Sequence, residues 1–297
     1  MPAFCNLTAL LLSLAITKAQ GGSAGCGKTH DFVGHTREFS IQSSGGLRTY
    51  RIHLPLSYDS KTAKPLLIAY HGHGNNPDKF ELQTNFSNET VNPDMIVVYP
   101  AGLDKAWQGP SYARKGVSDK VFTTDLVNHI KSDYCVKESR VYATGHSNGG
   151  GFVGTLACSP DHGGQFAAFA PISGAFYTDV KGNQDCHPAR SPLPMFEVHG
   201  TGDKTIPYAP TKDGSGGPLP SVADWVRRWS LRNKCDAPQE KDLGNGVHDV
   251  RYKCQGVADG LEHIKVDGMG HPWPGPDSQL PDVSLRVVGF LNKHTKP

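Results

Sequence analysis

Short apolar runs recur along the chain at Phe39 to Gln42, Thr49 to Leu54, Leu66 to Tyr70, Met95 to Tyr99, Val141 to Ala143, Phe166 to Ile172, Met195 to His199 and Glu262 to Val266. Each is strand length and ends in turn residues, which predicts a β-strand. Ser43-Ser44-Gly45-Gly46 between the first two predicts a hairpin, so the sheet opens antiparallel. Later runs are separated by helical patterns: Phe122, Leu126, Ile130 and Tyr134 recur at helical spacing, as do Val222, Val226 and Ser230 with Trp225 and Trp229 beside them. Strands alternating with one-sided helices predict an α/β fold, a mostly parallel sheet covered on both faces after an antiparallel N-terminal hairpin. The Gly-, Pro- and Ser-rich stretch Thr211 to Pro220 predicts an irregular loop and a site of mobility.

One strand ends in chemistry. Val141 to Gly151 is a β-prone run that stops at Gly145, presents Ser147 between small residues and then turns helical. Gly145-His146-Ser147-Asn148-Gly149 fits the G-x-S-x-G nucleophile elbow, in which glycines let strand and helix approach without side-chain collision. The pentapeptide alone also recurs in Gly-rich surface loops; the strand before it and the helix after it favour the elbow.

A serine hydroxyl is a poor nucleophile until a base removes its proton, and the base should follow later in the chain. Of 14 histidines, His271 sits in Gly270-His271-Pro272-Trp273-Pro274-Gly275, just after a strand, where glycine and proline fix an exposed imidazole. His263, within the preceding strand, competes for the role. For the orienting acid, Asp203 in His199-Gly200-Thr201-Gly202-Asp203 follows a strand between serine and base, giving the order Ser147, Asp203, His271. Asp179, Asp185 and Asp267 are alternatives, and Asp203 could also be a turn aspartate. The amide after the nucleophile, that of Asn148, and one from the Gly-flanked turn at His73 are the candidate oxyanion donors. His71-x-His73 could be a metal pair, but no carboxylate or thiol at ligand spacing joins it, so the expectation is no metal and no cofactor. Trp107 and Trp273 are candidates for the mouth, stacking on a planar acyl group or a sugar face, with Tyr112 and Tyr208 as weaker ones.

Composition narrows the setting. With Lys+Arg 30 against Asp+Glu 28, nothing favours nucleic acid or an anionic membrane as a partner. Leu7 to Ile16 is too short to span a bilayer and precedes small residues, so residues 1–19 are expected to be a signal peptide cleaved at Ala19. Its n-region lacks Lys and Arg, and a buried N-terminal helix is the other reading. Residues 20–34 are then a lead-in, flexible from Gly21 to Gly27, and 35–297 a single catalytic domain with no repeat, charge block or linker. No anchor, retention signal or second module is expected after Phe290, and the chain should be secreted and monomeric. Cys5 leaves with the signal peptide, and Cys26, Cys135, Cys158, Cys186, Cys235 and Cys254 remain for three disulfides, Cys235 with Cys254 being the favoured pair. Asn85-Phe86-Ser87 and Asn88-Glu89-Thr90 are adjacent glycosylation sequons.

With these segments placed, the chain resembles the fungal feruloyl esterase C family, secreted α/β-hydrolase esterases related to polyhydroxybutyrate depolymerases. The resemblance spans nearly the whole mature chain and rests on Tyr70-His71-Gly72-His73-Gly74, Tyr99-Pro100-Ala101-Gly102 with Trp107, the run Arg140 to Gly150, His199 to Asp203, and Gly270 to Gly275. It implies an α/β-hydrolase fold and hydrolysis of esters joining ferulic acid to sugars of plant cell-wall polysaccharide. It implies Ser147 as nucleophile, Asp203 as acid, His271 as base, and His73 with Asn148 as oxyanion donors. Acetylxylan esterase and polyhydroxyalkanoate depolymerase share that triad and differ only in the acyl pocket. A hydrolase fold kept as a carbohydrate-binding protein is the reading from another class.

Overall fold

In the computed structural model, which describes residues 22–297, the expected strands lie in one ten-stranded sheet. The expected signal peptide, its cleavage point at Ala19 and Cys5 lie outside the described residues. The strands are β1 (Thr36–Ser43), β2 (Gly46–His53), β3 (Lys64–Tyr70), β4 (Ile96–Pro100), β5 (Val136–His146), β6 (Ala168–Ile172), β7 (Met195–Gly200), β8 (Gln239–Asp242), β9 (Val247–Cys254) and β10 (Val257–Val266). Their spatial order is β1-β2-β4-β3-β5-β6-β7-β10-β9-β8. The six strands from β4 through β10 in that order run parallel, and β1, β2, β9 and β8 are antiparallel additions at the two edges.

The helices are α1 (Pro77–Thr84), α2 (Asp119–Asp133), α3 (Asn148–Ala157), α4 (Pro160–Gly163), α5 (Val222–Arg232) and α6 (Val283–Asn292). Period-two alternation splits each central strand between two cores. Leu66, Ile68 and Val98 pack against Phe122, Leu126 and Ile130 of α2, Phe152 of α3 and Trp225 of α5. Leu67, Ala69, Val97 and Val198 pack against Phe80 of α1 and Val287 and Phe290 of α6. Burial on both faces explains why β3, β4 and β6 read as continuous apolar runs, whereas β7, equally buried, carries Glu197 and His199 within its run.

The lead-in is not the flexible segment expected. Gly22 bridges Lys137, the Ser23 hydroxyl donates to the Tyr134 carbonyl at 2.6 Å, and Cys26 is bonded to Cys135, so the segment is sewn to the start of β5. The other disulfides are Cys158 with Cys186 and the expected Cys235 with Cys254. Among the described residues no helix is long and apolar enough to cross a membrane. Asn85 and Asn88 are both exposed.

A buried ion pair anchors the loop between β4 and α2. Arg48 of β2 donates to Asp119 at 2.7 Å, its guanidinium lies 3.9 Å over the Phe122 ring, and the second Asp119 oxygen accepts the Gln108 amide at 2.7 Å. Asp119→Ala strands a buried cation, so it is expected to cost about 3–5 kcal/mol in urea unfolding, with Asp119→Asn costing less. A variant within experimental error of the parent would show the pair to be dispensable.

Candidate active site

Four loops leave the carboxyl ends of the parallel strands β3, β5, β7 and β10 and meet above the sheet. Such ends, where a parallel sheet opens, are where α/β proteins collect reactive groups. Ser147 follows β5 directly, and its φ of 55° and ψ of −119° put a non-glycine residue in a strained turn. Its hydroxyl lies 2.8 Å from Nε2 of His271, on the loop after β10. Nδ1 of His271 lies 2.7 Å from Oδ2 of Asp203, on the loop after β7. The three residues read from the sequence therefore form one hydrogen-bonded chain. Oδ1 of Asp203 accepts the amides of Thr205 and Ile206, each at 2.8 Å. Burial resists charge on Asp203, but hydrogen bonds from His199 and His271 outweigh it and hold the carboxyl well below the usual range. The competing acids sit elsewhere: Asp179 pairs with Arg232, Asp185 accepts the Val180 amide, and Asp267 pairs with His248.

Ser147, His271 and His146 line a cleft of about 330 Å³ together with Gly72, His73, Asn75 and Lys79. The amides of His73 and Asn148 have no protein acceptor among the described residues, leaving two donors free beside the serine. Asn148 is locked from behind: its Oδ1 accepts the Trp107 amide at 2.7 Å and its Nδ2 donates to the Trp107 carbonyl at 3.1 Å. His71 braces the other side, its Nδ1–H donating to the Gly72 carbonyl at 2.8 Å and its Nε2 accepting the Gly102 amide at 3.0 Å. Burial pushes His71 down to about 4 and keeps it neutral. With both ring nitrogens committed to backbone, His71 cannot also turn toward a metal beside His73.

Neither tryptophan stands at the mouth. Trp107 is fully buried, and its indole N–H donates to the His71 carbonyl at 2.9 Å, so it is a strut beneath the turn. Trp273 is 5% exposed, wedged edge-on against Phe80 and Phe86. Each fills the core beneath a loop whose sequence position alone suggested the rim. Tyr208 also lies lower, with its hydroxyl 2.9 Å from Nε2 of His263. His263, the competing base, is thereby held within the sheet and away from Ser147.

The aromatic residues that do reach the rim are His73 and Tyr112, stacked at 4.2 Å and 20°, with Tyr177 set perpendicular to Tyr112 at 6.3 Å. The loop expected to be mobile closes this cluster. Gly214 bridges Gly217, the Ser111 amide donates to the Gly216 carbonyl at 2.9 Å, and a Cβ at Gly216 would meet the Tyr177 ring at 2.8 Å. Only a glycine fits so close to two aromatic rings, which ties the loop down.

Four residues at or behind the site escaped the sequence reading. His146, the variable residue before the serine, donates from Nε2 to the His271 carbonyl at 2.8 Å and tilts against its ring at 4.9 Å, fixing the base's loop. Burial, followed by the proximity of His271, pushes His146 down to about 4. Lys79 projects from α1, a helix whose lone buried aromatic, Phe80, gave too weak a periodicity to find. Glu197 and His199 lie within β7, where a buried acid and imidazole in an apolar strand were the available signal.

Comparison with known proteins places this geometry in a family. A family model described as "Putative esterase" matches residues 41–214. An Aspergillus niger protein named "Probable feruloyl esterase C" is 29% identical over 93% of this chain and 94% of its own length. Its namesake from Aspergillus terreus is 26% identical over 89% of each chain. Among solved structures, an acetyl xylan esterase from Aspergillus awamori superposes with a TM-score of 0.61 at 17% identity, covering 86% of this chain and 99% of that one.

Proposed function

Because the chain belongs to the esterase family whose model spans residues 41–214, we propose that it is a serine carboxylesterase that releases ferulate from feruloyl–sugar esters of plant cell-wall arabinoxylan and pectin. The observation that carries the reading is the continuous chain from the Ser147 hydroxyl through His271 to Asp203. The relatives named feruloyl esterase C supply the substrate class. The His73, Tyr112 and Tyr177 cluster beside the cleft supports it, because a flat cinnamoyl ring stacks on aromatic faces.

Ser147 attacks the ester carbonyl as His271 Nε2 takes its proton, and Asp203 holds the imidazole in the tautomer that leaves Nε2 free to accept. The amides of His73 and Asn148 receive the oxyanion. The sugar leaves with the proton from His271, and water repeats the sequence on the acyl-enzyme to free the acid. Every proton taken up is returned, so the cycle needs no cofactor. Three disulfides fit an oxidising destination, and the reading includes secretion behind the 1–19 signal peptide, one catalytic domain over 35–297, and glycans at Asn85 or Asn88.

Acetylxylan esterase is the second reading, favoured by the small cleft and by the superposition on an acetyl xylan esterase. Acid release from methyl ferulate, methyl caffeate and p-nitrophenyl acetate separates the two. Turnover of the cinnamates, with Tyr112→Ala lowering kcat/KM for methyl ferulate by about 10-fold more than for the acetate, is the expected result. Acetate turnover without cinnamate turnover moves the assignment to acetylxylan, and no turnover at all favours a carbohydrate-binding protein.

A further inference from the structure

Behind Asp203 the hydrogen-bonded chain continues into the sheet. His199 Nδ1 lies 3.0 Å from Oε1 of Glu197, whose other oxygen lies 2.6 Å from Nδ1 of His263. Glu197 and His199 are two apart on β7 and so share a face, and His263 is the register partner of Glu197 on β10. Glu197 and His199 are fully buried. Buried charges survive in a sheet only when paired and hydrogen-bonded, and this set is.

The proton inventory assigns a charge. Nε2 of His199 lies 2.8 Å from the Ile206 carbonyl, which can only accept, so Nε2 carries a hydrogen. Glu197 accepts from His199 and His263 as a carboxylate: burial resists its charge, but those two bonds hold it below the usual range. Nδ1 of His199 therefore also carries a hydrogen, and the ring is an imidazolium. Burial opposes that charge as well, but Asp203 and Glu197 outweigh it and push His199 up to about 10. The groups facing His199 are Glu197 on its own strand, Asp203 and Tyr208 from the following loop, Lys265 beside it on β10, and His146 at the end of β5.

We propose that His199, an imidazolium held between Glu197 and Asp203, is a positioning residue that fixes the acid of the triad from behind. It acts in two ways. Its Nε2–H grips the Ile206 carbonyl while the Ile206 amide grips Oδ1 of Asp203, so one ring sets the loop that aims the acid at His271. Its charge, with Nε2 3.4 Å from Oδ2 of Asp203, makes that carboxylate a poor destination for the proton His271 receives. The proton then stays on His271, ready for the leaving sugar. The proposal rests on the triad reading above.

His199→Gln keeps a donor for Ile206 and removes the charge; Glu197→Gln is isosteric and removes one of the two counter-ions that keep His199 charged. With p-nitrophenyl acetate, each variant is expected to lose about 10–100-fold in kcat with KM within about 2-fold. Without the fixed cation, a positive charge on His271 meets less opposition in the free enzyme. The acid limb of the kcat/KM profile should therefore move to higher pH, by about one unit in His199→Gln. In the unmodified protein at pH 8, the ¹⁵N-histidine resonances absent from His199→Gln should show both ring nitrogens protonated; if that variant does not fold, His199→Asn supplies the assignment and Glu197→Gln the profile. A singly protonated His199, or an unshifted acid limb in whichever variant folds, overturns the proposal and leaves the triad standing. Hydrolysis that survives in Ser147→Ala, measured alongside, takes down the triad and this proposal with it.

Discussion

Ser147→Ala is expected to lower kcat for any ester the protein turns over by about 10⁴–10⁶, while the unfolding free energy stays within about 1 kcal/mol of the parent. The size follows from what is lost. In the proposed reaction the hydroxyl forms the acyl bond, and without it His271 Nε2, 2.8 Å away, is left with no proton to take. The near-neutral stability follows from the elbow's construction. Alanine keeps the Cβ and adopts the same φ of 55°, so the strain stored at Ser147 is neither relieved nor increased. His271→Ala should match the loss, because base and nucleophile act as a unit. Asp203→Asn should be milder by one to two powers of ten, because the oxyanion amides and a partly aligned imidazole persist. Stopped-flow release of p-nitrophenol, with circular dichroism on the same samples, checks all three. A Ser147→Ala variant retaining more than a few per cent of parent activity would show that another group is the nucleophile.

The parts of this arrangement legible in the sequence are those that local rules dictate. A parallel strand buried on both faces is a short apolar run, and β3, β4, β6 and β7 were found that way. The elbow at Ser147 and the Gly-rich turns at Asp203 and His271 were legible because a side chain presented at a strand end needs turn chemistry around it. The chain's likeness to the feruloyl esterase C family agrees with the family match and the Aspergillus relatives.

What stayed hidden depends on partners far along the chain. Strand β8 is Gln-Glu-Lys-Asp, exposed throughout, and β9 buries Asp249 where an alternating pattern needs an apolar residue. Asp249 is tolerated there because Arg251 holds it at 2.7 Å, which no periodicity reports. Trp107 and Trp273 were placed at the mouth by sequence proximity to the site. Their fully or nearly buried rings depend on cavities made by Phe152, Phe80 and Phe86, in other elements. Glu197 and His199 read as odd polar residues in a strand until β10 brings His263 across in register.

The close approach of α3 to the sheet carries the other large effect. A Cβ at Gly149 would fall on the carbonyl oxygens of Tyr70 and His71, backbone atoms at the end of β3 that no rotamer change can move. Gly149→Ala must therefore lift the first turn of α3 away from β3 or push the Tyr70-His71-Gly72 segment aside. Either shift separates Asn148, which opens the helix, from the turn carrying His73, and the amides of these two residues are the proposed oxyanion donors. Misplacing reacting and stabilising groups by about 1 Å costs on the order of 10² in rate. Gly149→Ala is thus expected to lose at least about 10²-fold in kcat/KM and about 1–3 kcal/mol of stability from overpacking. The control is Gly289→Ala in α6, where an added Cβ meets nothing within 4 Å and both activity and stability should hold or improve slightly. Equal behaviour of the two variants in urea unfolding and in p-nitrophenyl acetate turnover would mean that α3 and β3 are not in contact at Gly149. The oxyanion donors would then have to be sought on a different turn.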